Sequence, residues 1–353
     1  MTEICFRVDA GNRIGMGHLM ESLPLAESLK KRADVHIFFL ARDFPPAVNL
    51  IKRNGYRVEV MGEGLTEEEE LDLTLKTIKE SGTHVLICDL LNRSDEYFRM
   101  LKSSVKILVV ILDDEAHREV PGDIVVNFNI TQDGAFYRNL PGSRTLYCIG
   151  PRYMLLPEAL HQEWKKKKHI PDTCRTIFVN QGGSDPFGLT AKIVRGLEPL
   201  DLKQRVIVVV GPAISPDHKR ELESLETELK KNYQFEWGVT QRQMYRIMSE
   251  SDLTITAAGN TLYELAIFGV PSIVICHHER HNAVAQKFAE RGAVINLGVG
   301  TGLDARIICE AVSKLLRSKE KRLELSTNMK KIVDGLGSKR VAEKVLEVCQ
   351  RYS

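Results

Sequence analysis

ICFRVDAGNRIGMGHLMESLPLAESLKKRADVHIFFLA, residues 4–41, runs from one apolar stretch through a glycine-rich turn and a helix-like segment into a second apolar stretch. ICFRVDA (4–10) and VHIFFLA (35–41) are nearly continuous in apolar residues, which marks strands buried on both faces. Residues 18–32 between them carry helical periodicity, with apolar positions three and four apart. Strand, helix, strand in that order is the repeating unit of a parallel sheet covered by helices. The same alternation continues outward. YRVEVM (56–61), THVLICDL (83–90), VKILVVILDD (105–114), DIVVNFNI (123–130) and TLYCIG (145–150) read as strands, and 45–54, 66–82 and 94–102 as helices.

The pattern breaks at HQEWKKKKHIPDTC, 161–174, a polar, lysine-rich stretch with a proline that reads as a linker. It then restarts with RTIFVNQGG (175–183), QRVIVVVG (204–211), QFEWGV (234–239), DLTITAAG (252–259), PSIVICHH (271–278) and AVINLG (293–298). SKRVAEKVLEVCQR (338–351) reads as a last amphipathic helix. The expectation is an α/β protein of two doubly wound, Rossmann-like domains, 1–160 and 175–337, joined by the linker and followed by the helix of 338–353. In such sheets ligands bind beyond the carboxyl ends of the strands, here in a cleft between the two domains.

Composition narrows the function classes. A chain of 353 residues with 43% hydrophobic and 27% charged residues is an ordinary globular one, long enough for two cores. A net charge of +2 offers no field for nucleic acid or an anionic membrane, and one short lysine run does not change that. No run of about 18 apolar residues and no signal-peptide pattern occurs, so a soluble cytoplasmic protein without membrane insertion is expected. The seven cysteines are scattered without a CxxC pair and several lie inside apolar runs, as reduced, buried thiols do.

Chemistry is expected in the loops that follow strands. In GNRIGMGHLMES (11–22), Gly11, Gly15 and Gly17 free the backbone for a close ligand, and a helix starting near His18 aims N–H groups and a positive dipole end at the loop. That environment disfavours an imidazolium, so His18 suits a general base; a plain glycine turn with a solvated histidine is the other reading. VNQGGSDPFGLT (179–190) places Gly182, Gly183, Ser184 and Asp185 before a helix, where they suit a diphosphate, although Ser184 or Asp185 also fits a helix cap. In TITAAGNTLYELAIFGVPSIVI (254–275), Gly259, Asn260 and Thr261 open a helix and Glu264 follows one turn in. This arrangement fits phosphate and ribose, or a capping box. HHERHNAVAQ (277–286) holds three histidines; no carboxylate or cysteine cluster accompanies them, so hydrogen bonds to a sugar or phosphate are expected rather than a metal. Asp113, Asp114 and Glu115 end one strand and Asp89 another, in positions to orient a base, bind sugar hydroxyls or cap the next element.

Taken in order, FRVDAGNRIGMGHLMESLPLA, LDDEAHREVPGDIVVN, CIGPRYMLLPEAL, VNQGGSDPFGLT, AAGNTLYELAIFGVPSIVI and DGLGSKRVAEKV resemble the UDP-sugar hydrolases of the pseudaminic acid pathway and their spore-coat polysaccharide relatives. The C-terminal half also looks like the N-acetylglucosaminyltransferase that completes the lipid-linked peptidoglycan precursor. The resemblance implies the two-domain GT-B plan, with the last helix crossing back onto the first domain. It implies that His18 activates water to attack the anomeric carbon with inversion, releasing UDP and a free diacetamido-trideoxy sugar, with no metal or cofactor. Matching positions put Gly15, Gly17, Asp89, Asp113, Asp114 and Tyr153 on the sugar side. They put Gly182, Gly183, Ser184, Asp185, Gly259, Asn260, Thr261, Glu264 and His281 on UDP. A UDP-sugar is the only partner called for, and a monomer suffices.

Three positions depart from that pattern. Glu21 stands where the family has arginine, Leu90-Leu91 where His-Tyr follows the aspartate, and Arg280-His281 where Asn-Gln is usual. All three lie where sugar or phosphate is recognised, and arginine to glutamate reverses a charge. A GT-B glycosyltransferase using the same donor, or a nucleotide-sugar-binding homologue without catalysis, are the rival readings.

Overall fold

The computed structural model describes residues 2–11, 15–91, 93–113, 121–132, 134–138, 145–229 and 231–352. The chain divides into two compact units, Met1–Ala159 with Gly335–Ser353, and Leu160–Asp334. In the first unit the elements are β1 (Thr2–Val8), α1 (Gly17–Lys30), β2 (Val35–Arg42), α2 (Pro45–Arg53), β3 (Arg57–Met61), α3 (Glu67–Ser81), β4 (Val85–Asp89), α4 (Asp95–Ser104), β5 (Leu108–Leu112), β6 (Ile124–Asn127), α5 (Ala135–Arg138) and β7 (Leu146–Ile149). The second holds α6 (Leu160–Lys165), β8 (Thr176–Asn180), α7 (Leu189–Leu197), β9 (Arg205–Val210), α8 (Pro216–Glu228), β10 (Tyr233–Trp237), α9 (Gln241–Glu250), β11 (Leu253–Thr256), α10 (Asn260–Phe268), β12 (Ser272–Cys276), α11 (Glu279–Glu290), β13 (Val294–Val299), α12 (Ala305–Arg317) and α13 (Lys319–Met329). The last helix, α14 (Gly337–Tyr352), belongs to the first unit.

Among the described residues both sheets are parallel throughout, seven-stranded in the order β3-β2-β1-β4-β5-β6-β7 and six-stranded in the order β10-β9-β8-β11-β12-β13. Every apolar run quoted above became a strand. β4, β5 and β12 are buried at every position, which is why their sequences do not alternate. One core wraps the first sheet around Cys5, Phe38, Leu86 and Val109, and another the second around Ile177, Val208, Ile255 and Ile273. The two strand orders reverse between β1 and β4 and between β8 and β11. Those reversals create a crevice at the carboxyl ends of the strands.

Local sequence sets the helix ends. Thr66 and Glu69 close a capping box at the start of α3, and Gly82 ends it in the left-handed region. α14 packs against α1, and Ser338 Oγ donates to the Leu156 carbonyl at 2.8 Å. The lysine-rich stretch 161–174 belongs to the second unit and is tied to it at two points: Trp164 Nε1 donates to Lys330 O at 2.9 Å and Lys168 Nζ to Ser249 O at 2.6 Å. All seven cysteines are free thiols, six of them buried. Among the described residues no helix is long and apolar enough to cross a membrane.

Candidate active site

In the first unit the strand reversal brings the end of β1 beside the end of β4. Val8 pairs with Asp89, and the Asp9 N–H donates to the Asp89 carbonyl at 3.2 Å. The chain leaves β1 through Gly11 and Gly15, whose backbones pair with each other; Gly15 has φ +78°, a conformation open to glycine at little cost. It enters α1 at Gly17 with no side-chain cap. His18 therefore sits in the first helical turn, 8% exposed, directly over the end of β4. Its Nδ1 lies 2.6 Å from Asp89 Oδ1, and Ser22, one turn further along α1, donates its hydroxyl to Asp89 Oδ2 at 3.0 Å. An ionised carboxylate only accepts, so Nδ1 carries a proton, and in the neutral ring Nε2 is the nitrogen able to take one up. The same carboxylate stabilises the positive ring that forms when Nε2 takes a proton. Such an arrangement can serve as a base with its orienting acid.

Glu21 is also buried, and donor atoms of His18, Glu21 and Asp89 all lie within 4.8 Å of one another. Such a trio fits proton transfer, and it is also compact enough to hold a cation. Asp113 goes elsewhere: Tyr137 donates to its Oδ2 at 2.5 Å while Asn127 Nδ2 donates to the Tyr137 hydroxyl at 3.1 Å. Burial first, and then Asp113, push the Tyr137 hydroxyl far up its scale. The carboxylate in contact with His18 Nδ1 is thus Asp89 rather than Asp113. Tyr153 lies in a single 3-10 turn, Pro151–Tyr153, with Arg152 over its ring at 5.2 Å. Asp114 and Glu115 lie outside the described residues, as do residues 12–14 of the glycine loop.

Sequence reasoning missed what supports this loop. Arg7, Asp9, Glu70 and Arg93 are all buried in one ion-pair network, which Arg42 joins from its rim. Arg7 Nη1 meets Asp9 at 3.0 Å, its Nη2 meets Glu70 at 2.6 Å, and Arg93 Nη2 bridges Asp9 at 2.7 Å and Glu70 at 2.9 Å. Burial alone would raise the Glu70 carboxyl, but Arg7 and Arg93 hold it below its usual range. The available signal was Arg7 inside the buried stretch 4–8 of β1. Glu70, inside EEEE, looks like a solvated helix start.

The second unit builds its crevice from the loops after β8 and β11. Asn180 ends β8 and ties the turn, accepting from Gly182 N at 3.0 Å and donating to Val209 O at 3.0 Å. Gly182 and Gly183 then lie so close to Gly211 that a side chain at 211 would collide with their carbonyl oxygens. Asp185 follows in the left-handed region at φ +39°, a conformation aspartate tolerates better than most residues. Its carboxylate accepts from Leu189 N and Thr190 N, each at 2.8 Å. The capping reading of Asp185 therefore holds, in a sparsely populated backbone conformation. Gln181, 1% exposed, has neither amide atom hydrogen-bonded among the described residues. Gly259 is the N-cap of α10, with no side-chain cap, so Asn260, Thr261 and Glu264 form no capping box. Glu264 instead accepts from Tyr245 Oη at 3.1 Å, and burial pushes its carboxyl up to about 7.

The third loop of this unit follows β12. His277 is buried with Nε2 3.9 Å from Asp185 Oδ1, and His278 caps α11 by accepting from His281 N at 3.4 Å. The His278 and His281 rings lie 4.0 Å apart between centroids, and His277 and His281 5.7 Å apart. Burial leads in pushing all three imidazoles down, His281 to about 4. Ser184 and Gly183 stay at the turn between β8 and α7.

Residues 176–344 match the Glycosyltransferase family 28 C-terminal domain. Over 94% of its length the chain is 28% identical to the spore coat polysaccharide biosynthesis protein SpsG of Bacillus subtilis, covering 94% of that protein. It is 24% identical to the UDP-2,4-diacetamido-2,4,6-trideoxy-beta-L-altropyranose hydrolase of Campylobacter jejuni, over 82% of this chain and 97% of that one. Among solved structures, MurG of Acinetobacter baumannii superposes with a TM-score of 0.64 at 14% identity, over 98% of this chain and 100% of that one. The two parallel-sheet units are those of the GT-B fold.

Proposed function

We propose that the protein is a nucleotide-sugar hydrolase that cleaves the anomeric C–O bond of a UDP-linked diacetamido-trideoxy sugar with inversion. The free sugar would then enter nonulosonic acid or surface polysaccharide synthesis. The observation that carries this reading is the His18–Asp89 pair, 2.6 Å apart at the strand reversal of the first unit. Water gives its proton to His18 Nε2 as its oxygen bonds to the anomeric carbon, and the bond from that carbon to the β-phosphate oxygen breaks. UDP leaves with the electron pair. Asp89 holds the imidazole and stabilises its positive form; Ser22 holds Asp89. Gly182, Gly183, Ser184, Asp185, Gly259, Asn260 and Thr261 are assigned to the diphosphate, through backbone N–H groups and the α10 N-terminus. Glu264 is assigned to the ribose. The Campylobacter relative, named as a hydrolase of a UDP-linked diacetamido-trideoxy sugar, supports the choice of water as acceptor.

The match of residues 176–344 to a glycosyltransferase domain favours a second reading, in which the sugar passes to an acceptor. UDP release from a panel of UDP-sugars, with no acceptor and with chelator present, tests the two together. Hydrolysis predicts turnover under those conditions, abolished in His18→Ala with UDP affinity within a few-fold of wild type. Turnover that needs an added acceptor would sink the hydrolase, and loss of turnover on chelation would assign the His18–Glu21–Asp89 trio to a cation.

A further inference from the structure

The three histidines after β12 do not fit the pattern of ordinary surface residues. His277 is 7% exposed, and its Nε2 has no hydrogen-bond partner among the described residues; the same is true of His281 Nδ1. His278 uses Nδ1 to accept the N–H of His281, so its proton sits on Nε2, which points away from that bond as a donor. An unpaired buried ring nitrogen costs on the order of 1–3 kcal/mol. Such an arrangement is maintained where a ligand supplies the missing partner. The trio stands at the first turn of α11, a helix of 12 residues whose N–H groups and dipole favour an anion.

We propose that His277, His278 and His281 form a proton-coupled anion subsite, at which a phosphate group of the ligand binds together with a proton taken up by the imidazole cluster. The inference rests on the reading of the second unit as the UDP-binding one, and deepens it. Without an anion, several groups set the charge on this cluster. Asp185, from the β8–α7 loop, favours the protonated ring of His277; burial, the neighbouring imidazoles and Arg280 oppose protonation, and Glu279 lies in the same helical turn. The opposing influences win, and each ring is held below the ordinary imidazole range. A phosphate bearing close to two negative charges reverses the balance: it attracts the imidazolium and receives a hydrogen bond from it. His281 stands where the family resemblance leads one to expect glutamine, which can donate a hydrogen bond but cannot titrate.

Because the complex binds more protons than the free protein, affinity must fall as pH rises through the window between the two imidazole pKa values. The limit is roughly tenfold per pH unit for one whole proton. Glu264 works in the opposite direction, since ribose hydroxyls bind the ionised carboxylate. At pH 7.5 and above that contribution is small, and it cancels when wild type is compared with a histidine variant.

Calorimetric titration of the full chain with UDP at pH 7.5, in two buffers of different ionisation enthalpy, counts the protons taken up. The expected result is net uptake by wild type and a several-fold weaker Kd at pH 8.5 than at pH 7.5. Both effects should shrink in His281→Gln and in the more exposed His278→Gln. UDP that binds with no proton uptake and a pH-independent Kd overturns the subsite while leaving the nucleotide reading intact. Equal uptake in wild type and both variants also overturns it. Absence of any UDP binding overturns the nucleotide reading itself, and the inference with it.

Discussion

Replacing Glu264 with glutamine should make the protein more stable at pH 8 and, at the same time, a weaker binder of UDP. Glu264 sits one turn into α10, where burial pushes its carboxyl from the ordinary value of 4.5 up to about 7; the hydrogen bond from Tyr245 offsets only part of that. Below pH 4.5 the carboxyl is protonated in both folded and unfolded chains and contributes no difference. Between pH 4.5 and 7 the unfolded carboxyl ionises while the folded one stays protonated. The folded state then binds more protons, so its stability falls as pH rises, and the loss is complete above 7. A shift of this size corresponds to ~3 kcal/mol at ~1.4 kcal/mol per pKa unit, reduced toward ~2 kcal/mol because the side chain keeps some contact with water. Glutamine preserves the shape and the Tyr245 contact but cannot ionise, so the variant escapes the penalty. Urea denaturation followed by tryptophan fluorescence is a suitable assay, since both tryptophans, Trp164 and Trp237, lie in the same unit as Glu264. The variant should exceed wild type by ~2 kcal/mol at pH 8 and match it at pH 4. A difference that is the same at both pH values, or a variant less stable at pH 8, would refute the reasoning. On the binding side, the proposed ribose contact of Glu264 predicts that the variant binds UDP about tenfold more weakly.

Asp89→Asn should lower kcat about 100-fold or more with UDP affinity nearly unchanged, because it removes a charge-assisted bond to His18 and lets the amide hold the wrong ring tautomer. Steady-state UDP release checks this, and a kcat within threefold of wild type would show that Asp89 does not orient the base. Glu70→Ala strands Arg7 in the core with one acidic partner fewer, and should destabilise the first unit by about 3–5 kcal/mol. A loss below about 1 kcal/mol in chemical denaturation would mean that the network relaxes around the gap.

The strands and the ends of α1 to α4 were legible because their causes are local. A buried parallel strand must be continuously apolar, and a Thr-x-x-Glu start or a glycine stop acts within one turn. The positions of His18, Gly182, Gly183 and Gly259 after strands were legible for the same reason. Partnerships were not. Thr261 and Glu264 have the spacing of a capping box, yet the chain caps α10 at Gly259 and Glu264 turns to Tyr245, nineteen positions earlier. Asp113 and Asp89 look equivalent at the ends of neighbouring strands. One is held by Tyr137 and the other by His18.

By itself, the sequence determined that this chain folds as two parallel α/β units and which loops emerge at the carboxyl ends of their strands. Hydrophobic periodicity and glycine placement carry that much, and both depend on neighbours along the chain. Only the tertiary structure decided which loops meet. β1 lies next to β4 rather than β3, which brings Asp89 to His18 across 71 positions of sequence, and β8 lies next to β11, which joins the two glycine turns of the second unit. Strand order is set by long-range packing of whole faces, and no local pattern encodes it. The same packing buries Arg7 against Glu70, and gives Glu264 and the three histidines pKa values that their sequence neighbours do not dictate.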